Sequence, residues 1–460
     1  MIRHCHHRAL RETLYRAQMQ KASEGIEDNC GNIKKQLQVR QAIAQLLGFD
    51  SFADLSLATK MATDVETVHS FLENLRIASW SSGREELLKV QLFAAQKGFR
   101  KHFMPWDFSY WSECLKEENF HLSEKELKLY FPFPKVLSGL FDLCTQLFGI
   151  HITPADFKVP VWHRDVSYYL VKDAQGKQIG SFYLDPYTRE SKRGGAWTDT
   201  CQNRMWTGEN LQLPIAYIIC NGTPPSQNAP SLLAFQEVVT LFHEFGHALQ
   251  HLLTRIDYAS VSGTNGVEWD AVEIPSKFME NWCYHKPTLK QITGHYQTGS
   301  SLPEVLIDKI ISTRAFNAGS DMLAQLRYSL CDLVLHREST HDKEPSPFDT
   351  WYAISLATSH LPCLQEDRFL CSFHHVFGGN AYAAGYYSYK WAEVLSADAF
   401  QAFQEIGSED PKRLRELGEK FKTTFLELGG SMHPSEVFTL FRGRAPSIEA
   451  LLQQNGLTQP

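Results

Sequence analysis

The stretch LFHEFGHALQHLL, residues 241–253, sets two imidazoles and a carboxylate among leucines and phenylalanines. Burying such groups is costly unless they are partnered, so the pattern needs a purpose. On a helical wheel of ~100° per residue, with His243 at zero, His247 falls at ~40° and Glu244 at ~100°. Leu241, Phe245, Ala248, Leu249 and Leu252 gather on the opposite side. The stretch therefore reads as an amphipathic helix with an apolar back. No proline interrupts the chain between Pro230 and Pro275. Two imidazoles one turn apart can share one metal ion through bonds of ~2.0–2.1 Å. Glu244 is angled away from the ligand position, and suits a general base acting on water.

Such an ion needs a third protein ligand. His251 continues the spacing but lies two turns, or ~12 Å, from His243 on a straight helix. The next candidates are acidic: Glu268, Asp270, Glu273 and Glu280 in GVEWDAVEIPSKFMENWCY (266–284). From Val272 onward this segment reads as a second helix, antiparallel to the first across a connection rich in Gly and Ser. Glu273 and Glu280 are seven apart and share a face. Spacing alone leaves the choice between them open.

Working outward, the chain has 460 residues, more than a single domain usually holds, with 43% apolar and 21% charged residues. A net charge of −7 gives no support to nucleic-acid or anionic-membrane binding. The N-terminal residues lack the apolar core of a secretory signal, and no window approaches the ~18 apolar residues of a membrane span. Ten scattered cysteines form no C-x-x-C pair. They read as free thiols in a reducing cytoplasm. His4, Cys5, His6 and His7 could bind a metal, but the arginines beside them favour a solvated helix start.

Residues 7–150 are helical in pattern: KKQLQVRQAIAQLLGF (34–49) ends at Gly48, DVETVHSFLENLRIAS (64–79) starts at the cap Asp64, and REELLKVQLFAAQKGF (84–99) is a third helix. Between about 151 and 222 the period changes. Residues 166–185 read as two strands joined by a turn at Asp173–Gly176, and LPIAYIIC (213–220) as another, ended by Asn221 and Gly222. Helical patterning then resumes, broken at HDKEPSP (341–347), Gly378–Gly379 and Gly429–Gly430. Periodicity divides the chain into a helical region over 1–150 and a mixed region over 151–460. That region holds a small sheet at about 160–220, metal-binding helices at about 230–285 and C-terminal helices.

HEFGHALQH with VSGTNGVEWDAVEIPSKFMENW resembles the oligopeptidase A and thimet oligopeptidase family of zinc metallopeptidases. GSFYLDPYTRESKRGGAW (180–197), FGGNAYAAGYYSYKWAEVLSADAF (377–400) and GGSMHPSEVFTLFRGRAP (429–446) agree. The wording is nearest the bacterial oligopeptidase A branch, over almost the whole chain. The resemblance implies a mainly α, zincin-type fold with a small β-sheet beside the active-site helix and a deep channel between two lobes. It makes the helical region over 1–150 part of a channel wall and the region over 151–460 the catalytic region. It implies one zinc ion on His243, His247 and Glu273, with Glu244 as base and Glu280 orienting a ligand histidine. It also implies that His375, Tyr382, Tyr386 and Tyr389 act over the metal. The tyrosines, at i, i+4 and i+7, would share one helix face, and phenols suit a developing oxyanion. Asp185, Arg189 and Lys192, at the end of the sheet, read as structural, and the neighbouring strand could offer backbone groups to an extended peptide.

The implied activity is hydrolysis of short oligopeptides by a cytoplasmic, monomeric metalloendopeptidase. RHCHHRALRETLYRAQ resembles a segment well inside family members, after a long helical N-terminal portion. A second reading follows, in which the chain binds zinc and peptides as a catalytically weak remnant, or takes a separate N-terminal chain as partner. An aminopeptidase with the same metal motif would carry a G-x-M-E-N stretch, which this sequence lacks.

Overall fold

The computed structural model describes residues 2–120, 123–337, 345–407 and 410–457. The chain divides into two units, each built from separate stretches. The first comprises Met1–His121, Arg314–Trp391 and Leu452–Pro460; the second comprises Leu122–Thr313 and Ala392–Leu451. The change of period near 150, where helix Phe133–Phe148 gives way to strand His151–Pro154, lies inside the second unit.

The first unit is helical. Asp64 caps its longest helix, Val65–Gln96, by accepting from Thr67 N–H at 2.7 Å. The two helices expected at 64–79 and 84–99 are thus one, and Ser81–Ser82–Gly83 does not break it. The reason is packing. Gly83 meets Gly319 of helix Ala318–Arg337: a Cβ on Gly319 would lie 2.7 Å from Gly83 N. The two backbones touch where a side chain would hold them apart, and that contact outweighs the ~1 kcal/mol penalty of a mid-helix glycine. A core of Ile33, Leu37, Leu335, Trp351, Leu370, Phe373, Val376 and Tyr386 closes the other side. At the start of the chain, His7 caps helix Arg8–Met19 and His6 meets the Tyr110 hydroxyl at 2.7 Å.

The second unit holds the strands: β1 His151–Pro154, β2 Ser167–Lys172, β3 Gln178–Tyr187, β4 Trp197–Gln202, β5 Met205–Trp206, β6 Leu211–Gln212 and β7 Ile215–Gly222. Five form one sheet in the order β1-β2-β3-β7-β4, with β5 and β6 pairing separately. All pairs are antiparallel except β3 with β7. β7 runs through Asn221 and Gly222 rather than stopping before them, because Tyr187 of β3 pairs with Gly222. β4 is an edge strand. Helix Phe235–Leu253 packs on this sheet, with Phe245 edge-on to Phe182 of β3 at 5.6 Å and tilted against Phe141 at 5.9 Å. Its apolar back, Leu241, Phe245, Ala248, Leu249 and Leu252, is buried as the wheel requires.

The break expected at 341–347 lies partly outside the described residues; Ser346 then caps helix Pro347–Ala357. No described helix is long and apolar enough to cross a membrane.

The glycine contact yields a test. Gly319→Ala places its methyl against the backbone of residue 83, and should destabilise the chain by about 1–3 kcal/mol. A lowered urea midpoint is expected; a wild-type midpoint would show that the helices have room to separate.

Candidate metal centre

The two helices expected to carry the site are present and pack on each other. Along the first, His243 lies beside Glu280, Gly246 beside Pro275 and Ser276, and His247 beside Glu273. The numbers run in opposite senses, so the helices are antiparallel. Gly246 sets their separation. A Cβ there would lie 2.5 Å from Pro275 O and from Ser276 Cα, inside any tolerable contact. The second helix spans Ile274–Trp282, starting two residues later than expected, and Glu273 stands at its N-cap. Pro275 accounts for that start: a proline ring suits the first turn, where its missing N–H has no helical acceptor to lose.

This geometry brings three donor groups together. His243 Nε2 and His247 Nε2 each lie 3.3 Å from Glu273 Oε2. That is longer than the ~2.7–2.9 Å of a charge-assisted hydrogen bond. It matches the separation of about 3.3–3.4 Å between two ligands of a tetrahedral ion with bonds of ~2.0–2.1 Å. One atom from each of His243, His247 and Glu273 falls within 4.8 Å of the others. Two imidazoles and a carboxylate form the donor set of a catalytic zinc site with one position open. The residues fit the ion.

Surrounding groups orient the donors. Glu280 Oε1 sits 2.6 Å from His243 Nδ1, which fixes the proton on Nδ1 and leaves Nε2 for a cation. Lys277 in turn bonds Glu280 at 2.9 Å. Burial alone would raise the Glu280 carboxyl, but His243 and Lys277 hold it below its ordinary value. Ser276 donates to Glu273 Oε2 at 2.9 Å and is fully buried. Burial opposes ionisation of Glu273 as well, yet the two histidines keep it well below the carboxylate range. Burial also works to lower His243, but Glu273 and Glu280 together raise it to about 9. A cation binding here displaces protons.

Glu244 is only 6% exposed. Thr198 of edge strand β4 donates to Glu244 O at 2.7 Å and to Oε2 at 3.1 Å. Burial raises the Glu244 carboxyl above its ordinary value, against the pull of His243, His247 and Thr198. His251 is not part of this group: its Nε2 bonds Gln202 O at 2.9 Å. Glu268 and Asp270 likewise lie outside the three-residue cluster.

Sequence reasoning passed over Gly246, Ser276 and Thr198. A mid-helix glycine between two histidines was the readable signal, since it costs ~1 kcal/mol without a packing reason. Thr198 carried no signal, because only the sheet order brings it to the helix.

His375, Tyr382, Tyr386 and Tyr389 form one aromatic group within the first unit. The His375 ring lies 5.8, 5.6 and 6.1 Å from the three tyrosine rings, and Tyr382 stacks on Tyr389 at 5.0 Å. The three tyrosines do not share the helix face that the spacing i, i+4, i+7 predicts. Helix Ser388–Glu405 begins only after Tyr387, and Tyr382 and Tyr386 sit in turns bent by Ala384 at φ 52°. The rings converge because the turn folds them together. The Tyr386 hydroxyl donates to Gln325 at 3.2 Å.

Asp185 is structural in its contacts. It is 1% exposed and takes a paired bond from Arg189 at 2.8 and 2.7 Å, one from Lys192 at 2.9 Å and one from Trp162 at 2.8 Å. Burial alone would raise its carboxyl, but these donors depress it to about 2.

Two outcomes follow. Glu280→Gln should weaken zinc binding by about 10–100-fold in chelator competition, because the ligand histidine exchanges a charged acceptor for a neutral amide oxygen; unchanged affinity would remove Glu280 from the site. Asp185→Asn should destabilise by about 3 kcal/mol at neutral pH. A depressed folded-state pKa contributes stability above the unfolded value, near ~3.9, which is lost as pH falls through about 2. The gap between the wild type and Asp185→Asn in denaturant melts should therefore narrow as pH is lowered from 5. A constant gap would contradict it.

Residues 1–457 match Peptidase family M3. The chain is 49% identical to organellar oligopeptidase A, chloroplastic/mitochondrial, of Arabidopsis thaliana, covering 99% of this chain and 58% of that protein. It is 42% identical to oligopeptidase A of Escherichia coli K12, covering 99% of this chain and 67% of that protein. Among solved structures, PZ peptidase A with an inhibitor shares the fold at a TM-score of 0.57 and 15% identity, covering 98% of this chain and 68% of that one. The chain thus spans roughly three fifths to two thirds of the length of these relatives. It belongs to Peptidase family M3.

Proposed function

We propose that this chain hydrolyses peptide bonds of short oligopeptides, with one zinc ion on His243, His247 and Glu273. The observation that carries the reading is the meeting of both Nε2 atoms on one Glu273 oxygen, with a buried glutamate next to the first histidine. When bound, the ion supplies Lewis acidity to the scissile carbonyl and acidifies water towards a pKa of ~7. Glu244 accepts the proton of the attacking water and returns it to the leaving amine. Thr198 steadies Oε2 of that carboxylate while the proton moves. The family resemblance gives Tyr386 and Tyr389, with His375 and Tyr382 beside them, the role of hydroxyl donors to the oxyanion, Tyr386 exchanging the bond it gives Gln325 to do so; neutral phenols favour a charge that exists only in the transition state. The outer edge of β4 aligns an extended substrate by backbone pairing.

The relatives named oligopeptidase A support peptides as the substrate class. The reading places the activity in the cytoplasm, in keeping with ten cysteines of which none is disulfide-bonded.

Glu244→Gln removes the proton acceptor and leaves every ligand in place. Cleavage of an internally quenched peptide should fall by about 10²–10⁴-fold, with one zinc still bound per chain. Wild-type turnover in a zinc-loaded Glu244→Gln protein would overturn the assignment.

A further inference from the structure

In the first unit three ionisable groups are buried together: Asp332, His336 and Arg40, exposed by 2, 2 and 4%. Charges so deep are retained only when closely bonded. Asp332 Oδ1 accepts Ala384 N–H, and Oδ2 accepts Gly385 N–H and Tyr386 N–H, each at 2.9 Å. Three successive amides converge on one carboxylate, a backbone nest around an anion. Ala384, at φ 52°, occupies a left-handed conformation that costs a non-glycine residue about 1–2 kcal/mol. The bonds to Asp332 hold it there.

Arg40 grips the same segment by its carbonyls. Its Nη2 donates to Val376 O at 2.8 Å, Gly379 O at 2.7 Å and Asn380 Oδ1 at 3.0 Å. His336 links the two charges. Its Nε2 lies 3.0 Å from Arg40 Nη1, and its Nδ1 lies 2.7 Å from Asp332 O and 3.1 Å from Asp332 Oδ1. Arginine has no acceptor, so Nε2 accepts and Nδ1 carries the proton. One segment, residues 376–386, is thereby held at its carbonyls by a cation and at its amides by an anion. It joins His375 at one end to Tyr382, Tyr386 and Tyr389 at the other.

We propose that Asp332, backed by His336 and Arg40, is a positioning residue that fixes the direction of the Tyr386 and Tyr389 hydroxyls for peptide hydrolysis. This rests on the reading above that those tyrosines serve the reaction. The physical reason is leverage. A phenol oxygen lies several ångströms from its own Cα, so turning this segment by about 10° moves it by about 1 Å, a misplacement that costs about 10²-fold in rate.

The test uses the whole zinc-loaded chain and two near-isosteric variants. Asp332→Asn replaces one acceptor oxygen by an NH₂ group facing backbone amides. Arg40→Lys keeps the charge and removes the fork. Each is measured in the wild type and in a Tyr386→Phe/Tyr389→Phe background, by kcat and KM on a quenched peptide and by Ki for a phosphinic peptide. The phosphinate carries the tetrahedral oxyanion, and its Ki does not depend on the fraction of active protein. Asp332→Asn should lower kcat at least tenfold with KM within threefold, and weaken the phosphinic peptide in proportion. In the phenylalanine background the same change should alter kcat less than threefold. Equal losses in both backgrounds, or an unchanged phosphinate Ki, would overturn the proposal. If the phenylalanine background itself turns over like the wild type, the tyrosine reading fails and takes this proposal with it. If that background is slow but Asp332→Asn is not, positioning alone fails. Should Asp332→Asn not fold, Arg40→Lys decides by the same criteria.

Discussion

The candidate metal centre depends on two backbones touching at Gly246. Three donor atoms can meet only if the helix carrying His243 and His247 approaches the helix headed by Glu273 more closely than side chains permit. Hydrogen in place of a methyl group supplies the missing distance. The remainder of the second unit supports that contact. Phe245 faces the sheet and fixes the roll of the first helix, which turns both imidazoles to the other side. Pro275 and Ser276 start the second helix where Glu273 can reach back, and Ser276 holds the carboxylate in place.

Three deeply buried carboxylates each hold an ordered partner. Glu244 is tied to an edge strand through Thr198, Asp185 ties β3 to the loop carrying Arg189 and Lys192, and Asp332 ties a strained turn to the helix Ala318–Arg337. Lys192 also bonds the carbonyls of Tyr187 and Cys220, so one ammonium joins the ends of the two parallel strands β3 and β7. A buried ion pair adds little net stability compared with apolar packing, and its value lies in allowing one arrangement and penalising the others. At Asp185 and Asp332 the arrangement concerns backbone that no regular hydrogen-bond ladder would define.

What was legible in the sequence was what repeats locally. The helix at 235–253, its apolar back, the two strands meeting at Asp173–Gly176 and the acidic helix all follow from periodicity and turn residues. The choice of Glu273 over Glu280 did not, since a spacing of seven puts both on one face; only the start of the helix at Ile274 separates the residue at its cap from the residue two turns in. The same limit explains the tyrosines. Their spacing imitates a helix, but the chain there is a turn held by Asp332, more than fifty positions upstream, and no local pattern reports a distant carboxylate. The single helix Val65–Gln96 was divided for the reverse reason. Ser-Ser-Gly is a local stop signal, which contact with another helix overrides.

The two sets of candidate residues differ in how far the chain must travel to build them. Glu280 is 37 positions from His243, whereas the bond from Arg40 to Val376 closes a span of 336. By loop-closure entropy the longer span costs about 2 kcal/mol more. A neighbouring helix pair closes at lower entropic cost than a clasp between remote segments, which needs most of the polypeptide in place. The cation-binding half can therefore be complete on a nascent or partly folded molecule, at a time when the hydroxyl-bearing half has no defined shape. On the proposed function, an immature chain would hold its metal before its hydroxyl donors were placed, and would leave its own unfolded segments uncut.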